Sequence, residues 1–145
     1  MKKHIPYRLI LSVIAGIITT LLLTATTHIV LNTIGKHPPL FKPMLDDRQV
    51  QFALFYHSIF AIAGAFVTAM IAKNQSRRAV FILGTKELFM WLVGTFILYD
   101  HSPTWYNITK ALLGIPLALL GGKIYEFYKK RKSLDSAKNL RVTEG

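Results

Sequence analysis

Between Arg8 and Lys36 the chain runs for 27 residues without an Asp, Glu, Lys or Arg. At about 1.5 Å of rise per residue, a helix of that length exceeds a ~30 Å hydrocarbon core. In lipid a helix also satisfies its own backbone N–H and C=O groups, which few other structures can do. The stretch is therefore predicted to be a membrane-spanning helix over residues 9–34. Lys2, Lys3 and Arg8, with the small residues Thr24, Ala25 and Thr26, also fit a cleaved signal peptide. Against that, the apolar region continues through Ile29, Val30, Leu31 and Ile34, past the ~7–15 residues of a signal core.

The same feature recurs. Residues 49–72 are free of Asp, Glu, Lys and Arg, residues 79–99 are interrupted only by Lys86 and Glu87, and residues 104–128 read as a further span despite Lys110 and Pro116. A proline is tolerated there because neighbouring helices re-satisfy the freed carbonyl, and a kink near Pro116 is expected. Three polar segments separate the blocks. Residues 35–48 carry Pro38, Pro39, Pro43 and five charges, residues 73–78 form a basic turn, and Asp100, His101, Ser102 and Pro103 form the last. Asp46 and Asp47 are placed to begin the second helix, where acidic side chains suit the N-terminus. The fold class that follows is all-α: a polytopic membrane protein with four transmembrane helices in an antiparallel bundle, one domain over residues 1–128. A basic tail over 129–145 has too little apolar surface to fold alone and is expected to be mobile or to lie on the membrane surface.

Composition agrees. Hydrophobic residues make up 52% of the chain and lie in blocks that are apolar all round, unlike the one-sided patterning of a soluble helix. The formal net charge of +11 does not imply nucleic acid, because the basic residues flank the apolar blocks instead of lining one face. They also set an orientation. Lys2, Lys3, Arg8, Lys73, Arg77, Arg78, Lys123, Lys129, Lys130, Arg131, Lys132, Lys138 and Arg141 fall on one side, against Lys36, Lys42, Arg48 and Lys110 on the other. The positive-inside rule puts both termini in the cytoplasm, in a bacterial inner membrane. Tyr99, Trp105 and Tyr106 at the outer boundary, and Tyr125 and Tyr128 at the inner one, are placed as aromatic belts. The absence of cysteine excludes disulfides and thiolate chemistry.

Small residues four apart mark close helix contacts: Ala61, Ala65 and Ala69 in the second span, with Gly64 and Thr68 beside them, and Gly114, Ala118 and Gly122 in the fourth. Polar residues inside the spans mark something else, since a charged side chain at mid-bilayer costs about 2.5–3.5 kcal/mol on insertion scales. Lys86 and Glu87 sit ~12–14 Å in from Arg78 by helix rise. As neighbours they point about 100° apart, so at least one is expected to pair with another helix. His28, His57 and Lys110 reach similar heights, ~10–12 Å below the outer surface. An intramembrane cluster of His28, His57, Lys86, Glu87 and Lys110, with hydroxyls from Thr24, Thr27, Ser58 and Thr85, is therefore expected inside the bundle. It reads either as a proton-linked or anion-attracting site or as a structural ion pair, with Lys110 alternatively snorkelling out to the headgroups. A metal site has no HxxxH or HxxE spacing to support it, and no glycine phosphate loop, G-x-S-x-G elbow or HExxH is present. No cofactor and no catalytic residue is predicted, His37 and His101 being loop positions.

The segment DHSPTWYNITKALLGIPLALLGGKI, from Asp100 to Ile124, resembles small uncharacterised bacterial membrane proteins of four predicted helices, in which H-x-P-x-W/F precedes a P-x-A-x-L-G-G block. Span two, with AIAGAFVTAMIAK before a basic turn, looks like the corresponding small-residue helix of that family. The resemblance implies a four-helix membrane fold and carries no activity. A looser likeness is to small multidrug-resistance exporters, which use a membrane glutamate in their first helix where Glu87 here lies in the third. The function these readings support first is a non-enzymatic scaffold, accessory or envelope-maintenance component. The alternative is a small, dimeric, proton-coupled transporter using Glu87, and behind it a membrane enzyme acting at the outer face. The partners expected are the lipid bilayer, anionic lipid headgroups at the basic rim, and a second copy or a membrane partner protein.

Overall fold

A computed structural model describes residues 7–35, 46–97 and 103–143, without the side chains of 139–143. The described residues are all-α: α1 (Tyr7–Thr33), α2 (Asp47–Ala72), a short 3-10 turn (Lys73–Gln75), α3 (Ser76–Ile97) and α4 (Thr104–Thr143). Three helical stretches are long and apolar enough to cross a membrane: Tyr7–Thr33, the 51-residue run Asp47–Ile97, and Thr104–Lys138. α2 starts as expected. Asp46 is its N-cap and accepts a hydrogen bond from the Arg48 N–H at 3.1 Å, while Asp47 lies in the first turn, where carboxylates meet the positive end of the helix dipole. α2 ends at Lys73, whose N–H still donates to the Ala69 carbonyl as in the helix, while its φ of +50° turns the chain out of it.

Burial in this molecule inverts the pattern of a water-soluble protein. The largest apolar side chains point outward, including Leu21, Leu22, Phe52, Phe55, Phe81, Phe89, Phe96 and Leu112, while the fully buried positions include Ser12, Ala53, Ala65, Thr68, Ala69 and Ala79. Large apolar groups outside and small ones inside are what a hydrocarbon solvent selects. No hydrophobic driving force separates helix from lipid, and close backbone approach supplies the packing energy. These are features of a membrane protein.

The tightest contact joins α1 to α2. A Cβ on Gly16 would collide with the Thr68 hydroxyl, and one on Gly64 with the Thr20 hydroxyl, so each helix sets a Gly-x-x-x-Thr step against the other's glycine. Each threonine hydroxyl meanwhile donates to the glycine carbonyl one turn earlier on its own helix, Thr20 to Gly16 and Thr68 to Gly64, both at 3.0 Å. The seam is polar at its atoms yet fully satisfied. α4 has two smooth faces. Gly121 lies against the Ile62 carbonyl and Ala65 of α2. Gly114, Ala118 and Gly122 lie against α3, opposite Glu87 and Gly84, Gly84, and Val80 respectively. Ala65 and Ala69 are fully buried in the same core cluster as Ala118, whereas Ala61 faces a cavity and is only half-buried. α1 meets α3 only over a short stretch.

Two expectations are corrected. Tyr106 and Tyr125 are not belt residues: both are buried, Tyr106 against Val50, Ala53 and Tyr56, and Tyr125 edge-on to Phe66. Trp105 and Tyr128 remain exposed, and Tyr99 lies outside the described residues. The helix also does not stop at Tyr128. α4 continues to Thr143, because residues such as Lys129, Lys130, Lys132 and Ala137 are good helix formers and nothing between them breaks the ladder. Pro116 lies within α4 on an exposed face.

Candidate functional site

A cavity of about 650 Å³ opens between the helices, and every helix contributes to its wall. α1 supplies Thr20 and Thr24, α2 supplies His57, Ser58 and Ala61, α3 supplies Lys86, Glu87 and Trp91, and α4 supplies Lys110 and Gly114. Most of the remaining wall is apolar, from Ile17, Leu21, Leu54, Phe89, Met90, Val93, Ile97, Leu113 and Leu117. Of the predicted cluster, His57, Lys86, Glu87 and Lys110 line this one space.

Lys86 and Glu87 pair with each other. The Lys86 Nζ donates to Glu87 Oε1 at 2.9 Å, with both side chains largely shielded. The expectation that adjacent helical residues must look elsewhere is thus wrong here: a four-carbon lysine stem is long enough to curl back across the ~100° between them. In a low-dielectric wall, the attraction outweighs the rotamer entropy lost.

Lys110 does not snorkel to the headgroups. It is 7% exposed, and its Nζ lies 3.8 Å from the ring centre of Trp91 on α3 and 4.6 Å from that of Tyr106 on its own helix. The two π faces replace part of the lost hydration, a contact worth about 2 kcal/mol when desolvated. The ion pairs among the described residues are Lys86–Glu87 and Arg77–Glu126, so Lys110 is held by rings and not by a carboxylate at bonding distance.

His28 stands at the edge of the group. Its Nε2 is 3.1 Å from the Tyr56 hydroxyl, and its ring centre is 5.9 Å from that of His57, which stacks at 4.6 Å on Tyr56. The two histidines and Tyr56 therefore form one contact chain linking α1 to α2. Thr24 and Ser58 reach the cavity as expected, with the Ser58 hydroxyl donating to the Leu54 carbonyl at 2.7 Å. Thr85 does not: it is exposed and donates to the Phe81 carbonyl. Thr27 is not part of the wall either. No group of three or more metal-binding side chains occurs among the described residues. His37 and His101 lie outside the described residues.

Reasoning on the sequence missed Tyr56, Trp91 and Thr20. Trp91 follows Glu87 by four residues and so shares its helix face, which was the available signal. Tyr56 and Thr20 had none, since an aromatic or a hydroxyl in an apolar run points inward or outward with equal ease.

A second concavity, of about 870 Å³, lies between α3 and α4 near the Lys73 turn. Arg77, Arg78 and Lys123 rim it, Phe81, Ile82, Leu119 and Leu120 floor it, and Glu126 accepts from the Arg77 Nε at 3.0 Å. That hydrogen bond holds the Arg77 guanidinium above its ordinary pKa. No protein-family model, curated protein or solved structure matches the chain.

Proposed function

We propose that this chain is a multi-pass protein of a bacterial inner membrane, with four crossings and both termini in the cytoplasm, that works as a small carrier holding a ligand between its helices. The 51-residue run Asp47–Ile97 supports two crossings, because at about 1.5 Å per residue it is more than twice a bilayer core and it turns at Lys73, beside Arg77 and Arg78. The register supports an antiparallel bundle: Gly16 meets Gly64 and Thr68 while His28 meets Tyr56, and Gly122 meets Val80 while Gly114 meets Glu87.

The observation that carries the reading is the cavity itself. It is an apolar chamber at membrane depth with Lys86, Glu87 and Lys110 in its wall, and intramembrane ionisable groups are costly and mark substrate or proton paths. A purely adhesive role is less well supported, because the small-residue faces of α2 and α4 are already covered by neighbouring helices of the same chain. Glu87 is the group through which a proton would couple to the ligand, by leaving Lys86 when a competing charge arrives. Native mass spectrometry of the detergent-purified protein tests the reading. A bound small molecule is expected on the wild type and absent from Gly94→Leu, in which a side chain enters the cavity at a glycine with nothing within 4 Å of its Cβ position. Identical mass spectra for the two, at equal melting temperature, would sink the carrier.

A second reading, as a scaffold or accessory subunit in envelope maintenance, is favoured by the exposed basic helix that continues α4 through Lys129, Lys130, Arg131, Lys132 and Leu134. Here the basic rim meets anionic headgroups at about 1 kcal/mol per cation, and the helix offers a surface to a membrane partner or a second copy. Loss of function on deleting residues 129–145, with the cavity variants silent, would select it.

A further inference from the structure

Resting on the carrier reading, we infer that the cavity takes a single-chain anionic amphiphile, a carboxylate or similar acid group on one hydrocarbon chain, and that it enters sideways from the bilayer between α1 and α3. The charge in the wall comes first. Lys86 is closed onto Glu87 at 2.9 Å, which leaves Lys110 as the cation facing the space without a carboxylate at bonding distance among the described residues. Its ammonium rests on Trp91 and Tyr106, an arrangement that holds a desolvated cation in place and leaves its donors for a ligand oxygen. An acid headgroup offers the Lys110 ammonium two oxygens.

The rest of the lining is mostly hydrocarbon, and it is open. Leu21 of α1 and Phe89, Met90, Val93 and Ile97 of α3 line the cavity and are at the same time exposed on the outer surface. α1 and α3 touch only over a short stretch, so the mouth lies between these two lipid-facing helices and not at an aqueous end. A ligand reaching that mouth is already dissolved in the bilayer. The volume of about 650 Å³ is within the ~300–1,000 Å³ of single-ligand sites and suits one chain better than a two-chain lipid.

Trp91 makes the test direct, because it touches Lys110 and lines the cavity, and the one other tryptophan, Trp105, can be removed. Full-length Trp105→Phe protein in phosphatidylcholine nanodiscs is titrated with an 18-carbon fatty acid brominated in mid-chain, and with the matching brominated alcohol and amine. The acid is expected to quench Trp91 saturably, with a midpoint at least tenfold below those of the alcohol and amine. Lys110→Gln should raise that midpoint at least tenfold, and Gly94→Leu should remove the saturable component. Should Lys110→Gln fail to fold, the charge selectivity of the parent protein and the Gly94→Leu result decide alone. Equal midpoints for acid, alcohol and amine would overturn the acid assignment while leaving a cavity ligand. Equal competition by acetate would overturn the chain, and displacement by phosphatidylglycerol would replace the single-chain ligand with a bilayer phospholipid. No saturable quenching by any probe, with Gly94→Leu indistinguishable from its parent, would overturn the carrier reading itself.

Discussion

Lys86 and Glu87 illustrate how much a single contact decides. Their 2.9 Å ion pair stands in a largely shielded wall, so removing one partner leaves a charge without its counterion. Glu87→Gln is expected to lower stability by about 1–2 kcal/mol, and the double substitution Lys86→Gln with Glu87→Gln to recover most of it. Unfolding by sodium dodecyl sulfate, followed by circular dichroism, measures both. Additive losses in the double variant would mean that the two residues act independently. Lys110 behaves differently, since its stabilisation comes from rings. Trp91→Leu removes the nearer π face and should cost about 1–2 kcal/mol, whereas Trp91→Phe should cost less than half of that. Their positions along the helices were legible from helix rise alone. Their partners were not, because a lysine stem reaches several neighbours and only the packed neighbours decide which.

At the scale of elements, the seam between α1 and α2 is the most exacting. Gly16→Leu forces a side chain onto the Thr68 hydroxyl and into the Gly64 carbonyl 2.8 Å from the Cβ position, so the helices must separate. The expected loss is about 2–3 kcal/mol or failure to fold, against no measurable change for Gly94→Leu at a position with open space. Comparing the melting temperatures of the two variants in one detergent checks this. The Ala61, Ala65 and Ala69 ladder was visible in the sequence. The Gly16–Thr20 step was passed over because its spacing acquires meaning only when Gly64 and Thr68 stand opposite. α4 makes a further case. Lys129 through Lys138 are exposed, so a chain ending at Tyr128 should melt within about 2 °C of the full chain and lose only the helical signal of the missing turns. A larger drop would mean that the extension docks on the rest.

For the whole molecule, the outward display of large apolar side chains fits a hydrocarbon solvent, and the distribution of lysine and arginine supports the proposed orientation. Fusing a periplasm-active phosphatase after Gly145 should give an inactive reporter, and inserting it in the loop after Leu40 an active one. The reverse pattern would invert the proposed topology.

What the sequence determined by itself was the all-α character and the long apolar helices: a run without charge suits a helix in lipid, which satisfies its own backbone groups. What only the tertiary structure decided was which faces meet. Tyr106 and Tyr125 turn inward, Lys110 rests on Trp91, and Lys86 closes onto Glu87, none of which follows from position along the chain. The reason is physical. Depth along a helix follows from counting residues at a fixed rise, whereas the direction and reach of a side chain depend on what the other helices bring to the same height.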